Sequence, residues 1–309
     1  MLLLFRCATL HAQQPQNLTA RIRAAHLPAE VREQLESAYG AKDYARMRVT
    51  LDRQLAAGTD NAARAEIYAL AGAADFLGGR MATAADAFQR SNGLAPLDES
   101  DRFTWAMALV HLGQADAARE QLTLLNVSRP DRPLYLYWLG RIDYDQRRYV
   151  EAVEKLKRVI QRDPASARAY DALGLAFDMM GQPEDAREAF VKAVDLNRKL
   201  SQPSAWPPHN LGNLLLRVQQ PRDAEVLLRE ALEYDPGFAM AHYHLGRALE
   251  AEGRDNEAIG EYRVAVSLDK ELIEPLYSLG LLYRRHGRKV EAEAAFAEYK
   301  IRKSKTPVP

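Results

Sequence analysis

One pattern, returning about every 34 residues, constrains this chain more than any other feature, because such a period marks a stack of repeated units. A small or polar turn residue is followed by a second polar residue and, five places on, by alanine. The pattern stands at Gly79-Arg80…Ala84, Gly113-Gln114…Ala118, Arg147-Arg148…Ala152 and Gly181-Gln182…Ala186, then at Gln219-Gln220…Ala224, Gly253-Arg254…Ala258 and Gly287-Arg288…Ala292. The step between successive alanines is constant except from Ala186 to Ala224, where it is four longer. Seven residues before each turn an apolar residue precedes Gly or Ala: Ala71-Gly72, Trp105-Ala106, Leu139-Gly140, Leu173-Gly174, Leu211-Gly212, Leu245-Gly246 and Leu279-Gly280. Pro96, Pro130, Pro164 and Pro236 stand at one fixed spacing after Ala84, Ala118, Ala152 and Ala224. Signals in register at three offsets define seven repeats: 65–98, 99–132, 133–166, 167–204, 205–238, 239–272 and 273–306. A unit this short cannot bury an apolar face alone and must stack on its neighbours.

Each repeat reads as two amphipathic helices. In the sixth, Tyr243, Leu245, Ala248 and Leu249 supply apolar faces at helical spacing, and Gly253 breaks the chain. Ala258, Ile259, Tyr262 and Ala265 then renew the spacing, and the next repeat follows. Proline cannot continue a helix, so Asp235-Pro236 stops the one before. The small residues predict a close approach of the paired helices, with Gly246 facing Ala258.

On these residues the chain resembles the tetratricopeptide repeat, whose 34-residue helix–turn–helix unit carries W-x2-L-G-x2-Y, A-x3-F and P. The third repeat matches with Leu136, Leu139, Gly140, Ala152, Leu156 and Pro164. The fourth matches with Tyr170, Leu173, Gly174, Phe177, Ala186 and Phe190, and the seventh with Leu276, Leu279, Gly280, Tyr283, Ala292 and Phe296. The resemblance covers residues 65–306. It implies an all-α fold, a right-handed superhelical solenoid of stacked antiparallel helix pairs.

Residues 26–64 read as a degenerate first repeat and linker that cap the array. Leu27, Val31, Leu35 and Tyr39 share a helical face, and Gly40 aligns with the turn position. The fourth repeat is four residues longer than the rest, with its insertion within 197–204. A longer loop is expected there, either a tolerated surface insertion or a hinge in contact with ligand. Residues 1–25 form an amino-terminal segment that is signal-like or disordered. The apolar Met1–Phe5 run and the small residues up to Ala12 resemble the tail of a secretory signal, without its basic start. That reading favours an extracytoplasmic protein; the alternative is a cytoplasmic tail.

Composition narrows the function classes. Lys+Arg and Asp+Glu both number 42, so no overall field attracts a polyanion and nucleic acid is not an expected partner. The single cysteine, Cys7, cannot form an internal disulfide or a thiolate metal site. No apolar run reaches the ~20 residues of a membrane span. His242 and His244 point apart on a helix and cannot share a metal. No nucleophile, metal or phosphate-binding motif occurs, so neither catalysis, a metal nor a cofactor is expected.

By the resemblance, the first helix of each repeat lines an inner groove. The inward positions supply Phe76, Phe103, Met107, Tyr137 and Arg141, followed by His209, Asn213, Tyr243, Arg247, Tyr277, Arg284 and Arg285. The early repeats give an apolar surface and the late ones an aromatic, arginine-bearing surface, which are residue types enriched at binding hot spots. The carboxylate clamp of chaperone-binding members is not matched, and the asparagine ladder of sugar-transferase members reduces to Asn210. The expected function is a non-catalytic protein–protein interaction scaffold or adaptor that binds peptide or helical segments in the groove. The alternative is a structural or regulatory subunit of a larger assembly, for example in the cell envelope. The sequence leaves the partner and the oligomeric state open.

Overall fold

The protein is described by a computed structural model over residues 18–58 and 60–305. Among these residues there are 17 helices and no strand. The signal-like stretch before Leu18, with Cys7, lies outside the described residues.

The chain divides into two compact bodies, Met1–Arg148 and Tyr149–Pro309. The amino-terminal body holds α1 (Leu18–Ala24), α2 (Ala29–Gly40), α3 (Tyr44–Ala56), α4 (Asn61–Leu77), α5 (Met81–Leu94), α6 (Glu99–His111), α7 (Ala115–Ser128) and α8 (Pro133–Asp145). The carboxy-terminal body holds α9 (Tyr149–Arg162), α10 (Ala167–Met179), α11 (Pro183–Asn197), α12 (Trp206–Arg217), α13 (Pro221–Tyr234), α14 (Ala239–Ala251), α15 (Asp255–Leu268), α16 (Glu274–Arg285) and α17 (Lys289–Lys305). The division falls inside the third repeat, at the turn between α8 and α9. Within each body the helices pack as hairpins, and the first helix of one repeat rests on the pair before it.

The turn is the same device throughout. Its residue is left-handed in all seven repeats, with φ of 70–76° at Gly79, Gly113, Gly181, Gly253 and Gly287, 60° at Arg147 and 59° at Gln219. The following N–H donates to the carbonyl five residues back: Arg80 to Asp75, Gln114 to Leu109, Arg148 to Asp143, Gln182 to Phe177, Gln220 to Leu215, Arg254 to Leu249 and Arg288 to Tyr283. This six-to-one bond closes the first helix by satisfying one of its orphan carbonyls. The α2–α3 hairpin closes the same way, with Asp43 N–H on Ala38 O and the left-handed residue at Lys42. Register therefore runs through Lys42 rather than Gly40, and Met47, fully buried, holds the alanine position.

Five hairpins are locked by a side chain set into the notch at the glycine that precedes the turn by seven residues. A Cβ built on Gly246 would lie 2.5 Å from the Tyr262 ring, and one on Gly280 would lie 2.5 Å from Phe296. Gly174 meets Phe190 at 2.6 Å, Gly72 meets Phe88 at 2.9 Å and Gly212 meets Leu228 at 2.9 Å. The glycine thus admits a side chain from four residues beyond the alanine of its repeat. At Gly246 the nearest atoms are those of the Tyr262 ring rather than of Ala258, whereas at Gly212 the backbone of the repeat's alanine, Ala224 O, also lies at 3.4 Å.

Two segments depart from the expected outline. Residues 18–24, grouped by sequence with the signal-like or disordered stretch, form α1, whose Leu18 and Ile22 are buried in the apolar core. The insertion at 197–204 is a closed loop. Asn197 is buried, its Nδ2 donates to Ser204 O at 2.8 Å, and its Oδ1 accepts from Ser204 N–H at 2.8 Å.

Candidate functional site

The inward positions behave differently in the two bodies. In the amino-terminal body, Phe76, Phe103 and Met107 are buried and belong to one apolar cluster with Leu18 and Ile22. Phe103 tilts against Tyr135 at 5.6 Å. These three residues were expected as open anchors for a peptide; they are core instead. Register predicts which way a side chain points but not what covers it. On α8, Tyr137 is half-buried edge-on to Trp138, and Arg141 lies 5.8 Å above the Tyr144 ring.

In the carboxy-terminal body the first helices α10, α12 and α14 lie side by side. A chain of polar groups runs across them. Asn210 Nδ2 donates to Asp171 Oδ1 at 2.9 Å, which leaves Asn210 Oδ1 as an acceptor 3.2 Å from His209 Nδ1. His209 Nε2 sits 2.9 Å from His244 Nδ1. The consistent assignment is that His244 Nδ1–H donates to His209 Nε2 and His209 Nδ1–H donates to Asn210 Oδ1. The imidazoles stack with centroids 4.9 Å apart, and Trp206 and Phe238 close the pocket around His209.

Burial holds both rings neutral. It lowers His209 to about 4, with the Asn210 bond opposing, and lowers His244 well below 6.5 with help from His209 and Arg247. His209 was expected in the groove; it is a buried link between α12 and α14. Its partner His244, read from the sequence only as pointing away from His242, stands one place later in its repeat than His209 does in its own, so the register does not pair the two.

The remaining late positions stay open. Met179, Met240 and Tyr277 are exposed, and Asn213, Tyr243 and Arg247 are half-buried. Arg247 reaches over the Tyr243 ring at 6.0 Å and Arg284 over Phe296 at 5.8 Å. Neither arginine pairs with a carboxylate among the described residues. Arg285 differs, because it is held by Glu250 at 3.1 Å and Asp255 at 3.2 Å. Arg217 is likewise paired with Asp178. Tyr277, Leu281, Arg284, Phe296, Tyr299 and Lys300 line a cleft of about 300 Å³. Tyr277 stands 5.7 Å from Phe296 and 5.4 Å from Tyr299. The cleft therefore has aromatic walls and a cationic rim, suited to a side chain that is apolar beside an acidic group. The described residues contain no cluster of metal-ligating side chains.

Models of the tetratricopeptide repeat match residues 103–167, 167–200 and 209–271. The chain belongs to the tetratricopeptide repeat family. Among curated proteins it is 27% identical over 166 residues to the BBSome complex member bbs-4 of Caenorhabditis elegans, covering 51% of this chain and 35% of that one. It is 25% identical over 214 residues to Protein O-mannosyl-transferase TMTC3 of Homo sapiens, covering 58% and 23%. The chain thus spans about a third or less of these relatives.

Among solved structures, a tetratricopeptide repeat protein from Parabacteroides merdae superposes with a TM-score of 0.66 at 13% identity, covering 86% of this chain and 98% of that one. The APC/C hetero-tetramer Cut9-Hcn1 gives 0.61 at 16% identity, covering 78% and 46%. At these identities the likeness is one of fold, the all-α repeat solenoid. As a member of this family the chain is a protein-interaction scaffold. No described helix is long and apolar enough to cross a membrane.

Proposed function

We propose that the inner surface of the carboxy-terminal body is a peptide-docking surface for a partner segment that combines aromatic or aliphatic side chains with acidic groups. One observation carries this reading: Arg247 and Arg284 lean on aromatic rings with no carboxylate partner, beside the exposed Tyr277. An arginine backed by a ring and free of a salt bridge offers its planar fork to an incoming carboxylate. Tyr277 and the cleft beside it supply the apolar anchor. The scaffold reading assigns no chemistry to the chain itself.

Fluorescence anisotropy with labelled peptides that alternate Glu with Phe or Leu tests the proposal. Tyr277→Ala with Arg284→Ala weakens binding at least tenfold, and Arg247→Ala weakens it severalfold. Arg285→Ala leaves it unchanged, because Glu250 and Asp255 already neutralise that guanidinium. Equal losses at Arg285 and Arg284 would sink the assignment.

A second reading, a subunit of a larger assembly, is favoured by the similarity to a BBSome complex member. Recovery of stoichiometric partners on gentle purification supports it; a monomer that binds short peptides with full affinity opposes it.

A further inference from the structure

The inward face of the amino-terminal body is apolar and covered, and α1 is what the structure sets against it. This seven-residue helix packs on α2 and α4, the first helices of two successive hairpins. Through Arg21 it also reaches α6, the first helix of the next. A helix that engages three first helices in succession runs along the side those helices line. Leu18 and Ile22, spaced i and i+4 on one face, are fully buried in the same cluster as Phe76, Phe103 and Met107.

The attachment is incomplete. Arg21 Nη2 meets Asp101 Oδ2 at 2.5 Å, while Arg21 Nη1 and Asp101 Oδ1 are both buried without a hydrogen-bond partner. One bond is made where the guanidinium fork and the carboxylate could make two. The unused oxygen leaves Asp101 poorly solvated: burial, with Asp98 adding to it and Arg21 opposing, raises its carboxyl to about 7. Beyond the helix the chain is held at an exposed site, where His26 N–H and Nδ1 meet Glu66 at 2.9 and 2.8 Å. The described residues of α1 bury only Leu18 and Ile22. The residues of α4 and α6 beneath it, in contrast, sit in full-length hairpins locked by their turns.

We infer that α1 is a resident, displaceable occupant of a second helix-docking surface, and that this surface takes an amphipathic helix of a partner protein carrying an arginine between two aliphatic residues one turn apart. The chemistry of the partner is read from α1. Two aliphatic side chains enter the apolar cluster that also holds Phe76, Phe103 and Met107, and a guanidinium meets Asp101. An incoming arginine that pairs with both oxygens of Asp101 satisfies the atom α1 leaves orphaned, which gives the partner an advantage over the resident. The partner must also outcompete a tethered helix, whose effective concentration is on the order of millimolar. This surface is distinct from the aromatic and cationic one of the carboxy-terminal body, and either can hold without the other.

The probe is a labelled peptide of residues 18–27 of this chain, LTARIRAAHL, added to the full-length protein. In the Leu18→Asp, Ile22→Asp variant the resident helix is expelled, and the peptide binds at least tenfold tighter than to wild type. Arg21→Ala in the peptide, or Asp101→Asn added to the variant, reduces that binding at least fivefold. Absence of binding to a variant that keeps its helical signal and cooperative melt overturns the inference, and so does a variant dimer that excludes the peptide. Hydrogen exchange on wild type provides a test that needs no variant. The amides of Ile22–Ala25 exchange at least a hundredfold faster than those of Leu70–Ala74 if α1 lifts off independently. Equal protection makes α1 an integral part of the core and ends the proposal.

Discussion

The same inward positions have opposite fates in the two bodies. On α4 and α6 they carry Ala69, Ala73, Phe76, Phe103 and Met107, all buried. On α14 and α16 they carry Tyr243, Arg247, Tyr277, Leu281 and Arg284, all half-buried or exposed. The hairpins beneath are alike: each turn is left-handed, and the notch glycines Gly72 and Gly246 each receive a ring. The backbone repeat therefore leaves the inner surface open to choice. Small and apolar residues make it a seat for the chain's own helix, whereas long residues with polar tips keep it in contact with water.

The contrast is most sharply tested by truncating one inward residue on each side. Met107→Ala costs ~2–5 kcal/mol, because it removes a fully buried side chain and leaves a cavity. Tyr277→Ala, at an exposed position, changes stability by less than ~1 kcal/mol while weakening peptide binding. Urea unfolding of the two variants measures both, and similar losses would erase the distinction between a filled and an open face.

The carboxy-terminal body has a buried titration of its own at His209. Its folded value of about 4 lies below the ordinary 6.5, so the neutral ring favours the fold. That stability is complete above pH 6.5 and is lost as pH falls toward 4. The difference amounts to ~3 kcal/mol, from ~1.4 kcal/mol per unit. Thermal melts between pH 7 and 4 should show it, and the acid loss should shrink in His209→Gln combined with His244→Gln. An unchanged slope in that variant would place the acid sensitivity elsewhere.

Gly72→Ala and Gly246→Ala probe what the bodies share. Each added methyl meets a ring at under 3 Å, so each should cost ~1–3 kcal/mol by overpacking. Unequal costs would mean that the hairpins are not equivalent after all. The smallest expected effect is a gain: Gln219→Gly relieves a left-handed side chain and raises stability by ~0.5–1 kcal/mol, read as a small increase in melting temperature.

Much of this was legible in the residues. The turn at Gly79 and its six counterparts, the Leu-Gly notch and the prolines place most helix ends to within a few residues, because each is a local signal with a local cause. Met179, Tyr243, Arg247 and Arg284 stay accessible on inward positions, as register predicts. The failures are non-local. Phe76 and Phe103 look like anchors until α1 is laid against their helices, and nothing within 65–132 announces a segment from residue 18. Arg21 and Asp101 are 80 residues apart, and His209 and His244 are separated by 35. Sequence periodicity cannot report contacts at such spans.

The glycine-and-ring lock lies wholly within one hairpin: Gly72 with Phe88, Gly174 with Phe190, Gly280 with Phe296, always at the same separation along the chain. A stretch of DNA encoding one repeat therefore carries both halves of the lock. Duplicating or deleting such a stretch adds or removes a finished part without retuning its neighbours. Point changes at either half alone break the fit. A chain of this kind can lengthen readily by copying, while each notch and its filler must change together.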